Sequence, residues 1–315
     1  MSIAFPTHIA VVGGCNFDIY ATPYQPLISA DSNPGSVFTT PGGVGRNIAE
    51  NLARLGVQTK MLTALGRDAF GDAIIQQAQE VGLDLSHALR LPHLSTSVYM
   101  CINQNDGDIA VAVSDMKICD QIAPAYLQQY GQILQDASLV VADANLTQDT
   151  LLFLSQHYGN KLCIDCVSTP KAERVKACLK DLFCLKANRT EAAVVSGVDI
   201  HTDDDVAMAA EVLHRKGVQR VIITLGGSGA YVSAAEEAYT MPLMPGDTLN
   251  TSGCGDAFFA GALLALTEKQ NVTEVLRHGL AMARICAASQ SAVSQTVNRQ
   301  QLTDTLQQYQ GGAWK

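Results

Sequence analysis

Short, wholly apolar runs alternate along this chain with amphipathic stretches, and that alternation leaves few folds open. His8–Gly13, Leu139–Ala142, Leu162–Asp165, Leu182–Lys186 and Val221–Leu225 are rich in Val, Ile and Leu, and each ends in a polar or glycine-bearing turn. Helical patterns lie between them. Residues 47–55 set Ile48, Leu52 and Leu55 on one face, and 73–81, 207–214, 257–266 and 275–288 follow suit. Strands without an in–out alternation are buried on both faces. The chain therefore predicts an α/β fold whose mostly parallel sheet is covered on both sides by helices. With 315 residues, 47% of them hydrophobic, there is apolar material for such a core.

Two regions break the pattern. Residues 15–40 are rich in turn signals, among them Asn33-Pro34-Gly35. Residues 96–115 read as two β-prone arms around a turn at Asn105-Asp106-Gly107. Together they predict a small antiparallel accessory sheet. Val98, Met100 and Ile102 on one arm, and Ile109, Val111 and Val113 on the other, give it an apolar face. The tail after Asn298 predicts a polar amphipathic helix fraying at Gly311-Gly312.

The charge balance excludes some classes. The formal net charge is −9, whereas proteins that live on a phosphate backbone are usually basic, so no nucleic-acid partner is expected. The longest apolar run, Ala257–Leu266, is half of the ~20 residues a spanning helix needs, so no membrane segment is expected. The start of the chain has no basic region and no cleavage-like site, so no signal peptide is expected. Nine cysteines, an odd number and several within apolar segments, read as reduced thiols of a cytoplasmic protein. The one Cys-x-x-Cys, Cys163–Cys166, falls at a strand end, where an offset of three points the side chains to opposite faces.

Two segments carry chemistry. Asn250-Thr251-Ser252-Gly253-Cys254-Gly255-Asp256 runs directly into an apolar helix. Its glycines permit a sharp turn and close approach by a ligand, and the free N–H groups of the helix start suit a phosphate. Asp256 at the helix mouth has two readings here, a helix cap or an acceptor for a hydroxyl proton. Pro41-Gly42-Gly43-Val44-Gly45-Arg46-Asn47 is the second, with Asn47 offering both a donor and an acceptor. Neither segment is a P-loop, and no dinucleotide fingerprint is complete.

These segments resemble a known family. Gly42-Gly43-x-Gly45-x-Asn47-x-Ala49 is similar to the first signature of the ribokinase-like (PfkB) sugar and nucleoside kinases, and Thr251-x-Gly253-x-Gly255-Asp256 to the second. Asn188-Arg189-Thr190-Glu191 resembles the family's Asn-x-x-Glu motif, and Thr224–Gly229 its nucleotide loop. The four stand in the family's order and span nearly the whole chain. Ala30–Gly35, Ser114-Asp115-Met116 and the Asn at position 250 further resemble the bacterial pseudouridine kinases within it.

The resemblance implies a three-layer α/β/α sandwich, with residues 1–315 as one kinase domain and the segments 15–40 and 96–115 as an inserted lid. It implies transfer of the γ-phosphoryl group of ATP to the 5′-hydroxyl of pseudouridine. Asp256 would be the base, and the amides of Gly253, Cys254 and Gly255 the anion hole, with Cys254 in place of the usual Ala. Glu191 and Asn188 would order water around Mg²⁺. Asn16, Asp18, Gly42, Gly43 and Asn47 would hold the ribose. Asp31, Ser32 and Met116 would approach the base. Thr224, Gly226, Gly229, Asn188 and Asn250 would bind ATP, with adenine between the 224–229 loop and the helix near 275–288. K⁺ would sit near 287–294, where the sequence has no carboxylate. The lid's apolar face implies a homodimer. Two alternatives remain open at this stage: the same chemistry on ribose, fructose, adenosine or inosine, and a catalytically silent sensor.

Overall fold

The computed structural model describes residues 8–105, 109–234 and 237–308. Asp106 and Gly107 of the expected turn, and the fraying expected at Gly311-Gly312, lie outside the described residues. The strands are β1 (Ile9–Val12), β2 (Asn16–Pro23), β3 (Gly35–Gly42), β4 (Thr59–Leu62), β5 (Ala64–Gly66), β6 (Leu89–Leu91) and β7 (Ser97–Asn103). They continue with β8 (Ile109–Asp115), β9 (Leu139–Asp143), β10 (Leu162–Asp165), β11 (Cys184–Asn188), β12 (Arg220–Thr224), β13 (Ala230–Ala234) and β14 (Glu237–Met241).

The main sheet runs β14-β13-β12-β11-β10-β9-β1-β4. It is parallel from β4 through β12, and β13 and β14 are antiparallel. Both faces are packed, as continuous apolar strands require. On β1, Ile9 and Val11 enter one core, while Ala10 and Val12 enter the other. Cys163 and Cys166 likewise fall in opposite cores, and all nine cysteines are free. The C-terminal ends of the parallel strands lie on one edge, where open α/β sheets bind ligands. They deliver Gly13, Asp143, Asp165, Asn188 and Thr224 there.

The second sheet, β3-β2-β7-β8, falls in the two regions that break the sequence pattern. One expectation needs correcting: β2 and β7 pair in parallel, with Asn16 opposite Ser97, so the sheet is not antiparallel throughout. Parallel neighbours need a crossover, and here it runs through residues 24–96.

Helices start earlier than hydrophobic periodicity predicts, because caps are polar and carry no periodic signal. The helix expected from Ala73 begins at Ala69, where the Asp68 carboxylate accepts from Gly71 N. That expected from Ala207 begins at Asp203 behind a Thr202–Asp205 capping box. The strand expected over 182–186 lies two residues later, at Cys184–Asn188.

Two buried helices meet closely beside the site. Helix Cys254–Thr267 packs on helix Val272–Ala287 at Gly261 and Gly279. A Cβ at Gly279 would stand 2.7 Å from the Phe258 ring, which is 2% exposed. Overpacking such a contact costs about 1–3 kcal/mol. Gly279→Val is therefore expected to lower the thermal midpoint by several degrees. An unchanged melting curve would refute this account of the contact.

Candidate active site

The site is organised by Asp143, the last residue of β9, which is fully buried. Its Oδ2 accepts from Gly14 N and Gly45 N, both at 2.8 Å, and its Oδ1 from Asn145 N at 2.8 Å. Burial pushes this carboxyl up, and the amides of Gly14 and Asn145 oppose that shift. One side chain thereby ties the turn after β1 to the glycine loop after β3. The helix Val44–Arg54 begins at that loop without a cap of its own: Gly43, at φ 100°, has no side chain to offer. Asp143 supplies the missing acceptor from another element. For this reason the helix starts at Val44 rather than at the predicted Asn47.

The expected ribose-binding residues come together beside it. Asn16 and Asp18 enter on β2, 4% and 9% exposed, and Asn16 Nδ2 donates to Asp18 Oδ1. The Asp18 carboxylate lies against Gly42, where any Cβ would collide with it. Burial raises the Asp18 pKa to about 6, against the hydrogen bonds from Asn16 and Tyr20. At Gly43 a Cβ would stand 2.9 Å from Asn16 Oδ1.

Asn47 connects this group to the second signature, 209 residues on: its Nδ2 donates to Asp256 Oδ2 at 2.8 Å. Asp256 sits in the first turn of helix Cys254–Thr267. Burial and the nearby Asp165 raise its pKa to about 7, while Lys186 and the Asn47 bond pull it down. The N-cap, Gly253, has φ 77° and lies so close to Ala292 O that no Cβ fits. First-turn amides have no intrahelical acceptor, so those of Gly253, Gly255 and Asp256 can receive an anion. The Cys254 amide donates to Thr251 O at 3.3 Å. The Cys254 thiol meets that of Cys286, whose hydrogen bond holds it below its ordinary pKa.

A cavity of about 600 Å³ opens beside this turn. Asn188, Thr224, Gly226, Gly229, Cys254 and Gly255 line it, and Leu280, Ala283 and Arg284 form the far wall. The cavity thus lies between the 224–229 loop and the helix near 275–288, where the resemblance would put adenine. The segment Leu243–Gly246 completes the wall and carried no sequence signal. Asn250 does not line the cavity. Its Oδ1 accepts from Ser252 N at 2.9 Å, so it shapes the turn instead.

Asn188 and Glu191 form a capping box. Glu191 Oε2 accepts from Asn188 N, and Oε1 from Asn188 Nδ2, both at 2.8 Å. Each oxygen keeps a lone pair, which suits contact with metal-bound water rather than direct ligation. Among the described residues no cluster of His, Cys, Asp and Glu could hold a metal ion alone.

Three expected residues stand apart. Asp31 and Ser32 are exposed at the tip between β2 and β3, and Asp31 Oδ1 accepts from Ser32 N. Met116 is half-buried at the exit from β8. Sequence reasoning missed Asp143, Asp165 and Lys186. Their signal is position alone, since Asp143 and Asp165 end parallel strands and Lys186 lies two residues before the end of β11.

Residues 6–298 match the pfkB family of carbohydrate kinases. The chain is 36% identical to the pseudouridine kinase of Escherichia coli, over 81% of this chain and 82% of that protein. It is 26% identical to the guanosine-inosine kinase of Exiguobacterium acetylicum, over 89% and 94%. The structure of Arabidopsis thaliana ribokinase complexed with ribose and ATP superposes with TM-score 0.87 at 21% identity, covering 95% of this chain and 98% of that one. The chain belongs to the pfkB family and is a phosphotransferase with an alcohol group as acceptor. Its fold is the ribokinase-like α/β sandwich. Among the described residues no helix is long and apolar enough to cross a membrane.

A carboxyl must be ionised to accept a proton, so if Asp256 is the base that the resemblance implies, kcat/KM is expected to fall as pH drops through about 7. Asn47→Ala removes a bond to the ionised form and should move that limb to higher pH. A pH–rate profile flat down to the ordinary carboxylate range would contradict both.

Proposed function

We propose that this kinase transfers the γ-phosphoryl group of ATP to the 5′-hydroxyl of pseudouridine. The observation that carries the chemistry is the bond between Asn47 and the buried Asp256, which joins the ribose-side residues to the helix mouth. The 36% identity to a pseudouridine kinase supports the choice of acceptor.

In this reading Asp18 accepts from ribose hydroxyls, with Asn16, Gly42, Gly43 and Asn47 around the sugar. Asp256 takes the proton of the 5′-hydroxyl as its oxygen attacks the γ-phosphorus, and the bond to the ADP oxygen breaks. Amides at the start of helix Cys254–Thr267 receive the charge on the transferring group, the kind of contribution often worth several kcal/mol. ATP lies in the cavity, its phosphates toward Thr224, Gly226, Gly229 and Asn188. Asn188 and Glu191 would hold the water of Mg²⁺, which when bound would supply charge neutralisation to the phosphates. K⁺ belongs to the proposal through the carbonyls and hydroxyls of 287–294, ligands suited to a hard cation. Asp31, Ser32 and Met116 reach the base only after the small sheet closes.

The whole chain acts as one domain in this reading, in the cytoplasm. Two copies pair through the small sheet. Val37, Met100, Val111 and Val113 share one face of it and are 43–68% exposed, an apolar surface a second subunit would cover.

The deciding assay measures ADP release with Mg²⁺, with and without K⁺, on pseudouridine, uridine, adenosine, inosine, ribose and fructose. Turnover on pseudouridine well above uridine is expected, because a site matched to the extra N–H rejects the analogue lacking it. Best activity on a purine nucleoside or bare sugar would replace the acceptor and keep the kinase. Asp256→Asn should lower kcat by roughly 10²–10⁴-fold, a base's usual share. Val113→Glu should convert a dimer to a monomer in light scattering. A monomeric wild type would remove the dimer from the reading.

A further inference from the structure

Lys186 is a deeply buried cation with no role in the signatures above. It lies on β11, 6% exposed. Its Nζ donates to Asp165 Oδ2 at 2.8 Å, and its other N–H groups have no hydrogen-bond partner among the described residues. Burying an ammonium with donors unused is costly, and a partner absent from the chain itself would resolve the cost.

The location indicates that partner. A Cβ on Gly255 would stand 3.0 Å from Lys186 Nζ. Gly255 lines the cavity and lies in the first turn of helix Cys254–Thr267. The absent side chain at Gly255 lets the ammonium come this close to a turn that lines the cavity. Asp165, Asp256 and Glu191 also act on it. Three carboxylates thus share one ammonium, which touches Asp165 directly, and bringing a phosphate into such a place needs that positive charge.

Asp165 is itself held in an unusual way. Its Oδ1 accepts from Val167 N at 2.8 Å, and Val167 has φ 65°. A β-branched residue in the left-handed region is a true outlier, and such strain persists only where the surroundings enforce it. The strained turn occupies one carboxylate oxygen and leaves the other for Lys186.

We propose that Lys186 is a catalytic residue whose ammonium contacts the phosphoryl group in flight, while Asp165 and the Val167 turn position it. This rests on the kinase reading above, so the wild type is assayed first on the whole acceptor panel. Silence there defeats that reading before any variant is made.

With an acceptor in hand, Lys186→Met is expected to lower kcat by about 10²-fold or more, the scale for losing one transition-state donor. KM for ATP and acceptor should stay within about threefold, as for a contact made only in the transition state. Calorimetric titration with ADP, alone and with aluminium fluoride as a mimic of the transferring group, separates the roles. The wild type should bind the fluoride complex more tightly than ADP alone. Lys186→Met should lose that increment and keep its affinity for ADP.

Asp165→Asn keeps the ammonium and frees its position. It is expected to lower kcat with little change in KM, and Lys186→Arg should recover part of the loss. If Lys186→Met does not fold, the double variant Asp165→Asn/Lys186→Met takes its place, because it strands no charge. A folded variant lacking Lys186 with kcat within about threefold of wild type overturns the proposal. Equal loss of ADP and ADP–fluoride binding also overturns it, since Lys186 would then support the nucleotide site as a whole.

Discussion

One buried carboxylate holds the working parts of this molecule in register. Asp143 accepts backbone N–H groups from the turn after β1, from the start of helix Val44–Arg54 and from Asn145. Without it, the two glycine-rich segments would keep the bond from Arg46 N to Gly14 O but no side chain to fix their distance, because glycine offers neither side-chain packing nor a cap. With it, Asn47 is set one turn into a helix whose origin is fixed, and its amide reaches Asp256. The contact between the two halves of the site is thus downstream of a strand-end residue that touches neither signature's side chains.

The electrostatics follow the same plan. Asp143, Asp165, Asp256 and Glu191 are all under 10% exposed, and Lys186 lies among the last three. Burial and like charge raise the carboxyl of Asp256. Lys186 is also held above its ordinary value, but against its burial, which alone would lower it: Asp165 and Asp256 together outweigh that burial. The carboxyl of Asp256 and the ammonium of Lys186 are therefore tuned by each other, at a helix start that already favours anions. Within the proposed function, that cluster is poised for a phosphate-bearing ligand to rebalance its charge.

Much of this was legible in the sequence, for definite reasons. Continuous apolar runs declared a sheet packed on both faces, and β1, β9 and β10 appear within a residue of where they were predicted. The turn at Gly253–Asp256 was legible because glycines followed by an apolar helix have few other uses. What escaped notice was whatever depends on distant pairing. The parallel match of β2 with β7 cannot be read from either strand, since both alternate as an antiparallel hairpin would. Asp143 and Asp165 look like ordinary polar strand ends until the parallel order brings those ends to one edge. Val44 and Gly45 give no helical signal, because the acceptor that starts their helix lies on β9.

The small sheet carries a mechanical consequence. Asp18, placed against Gly42 and bonded by Asn16, lies on β2, and β2 is also the strand that pairs with both β3 and β7. Within the proposed function, the residue that grips the sugar and the central rib of the cover are one piece of backbone. In that reading, a swing of the sheet away from the cavity cannot leave the sugar contact behind. Uncovering the proposed product and loosening the hold on it would then be a single movement, and escape would need no separate unlatching step.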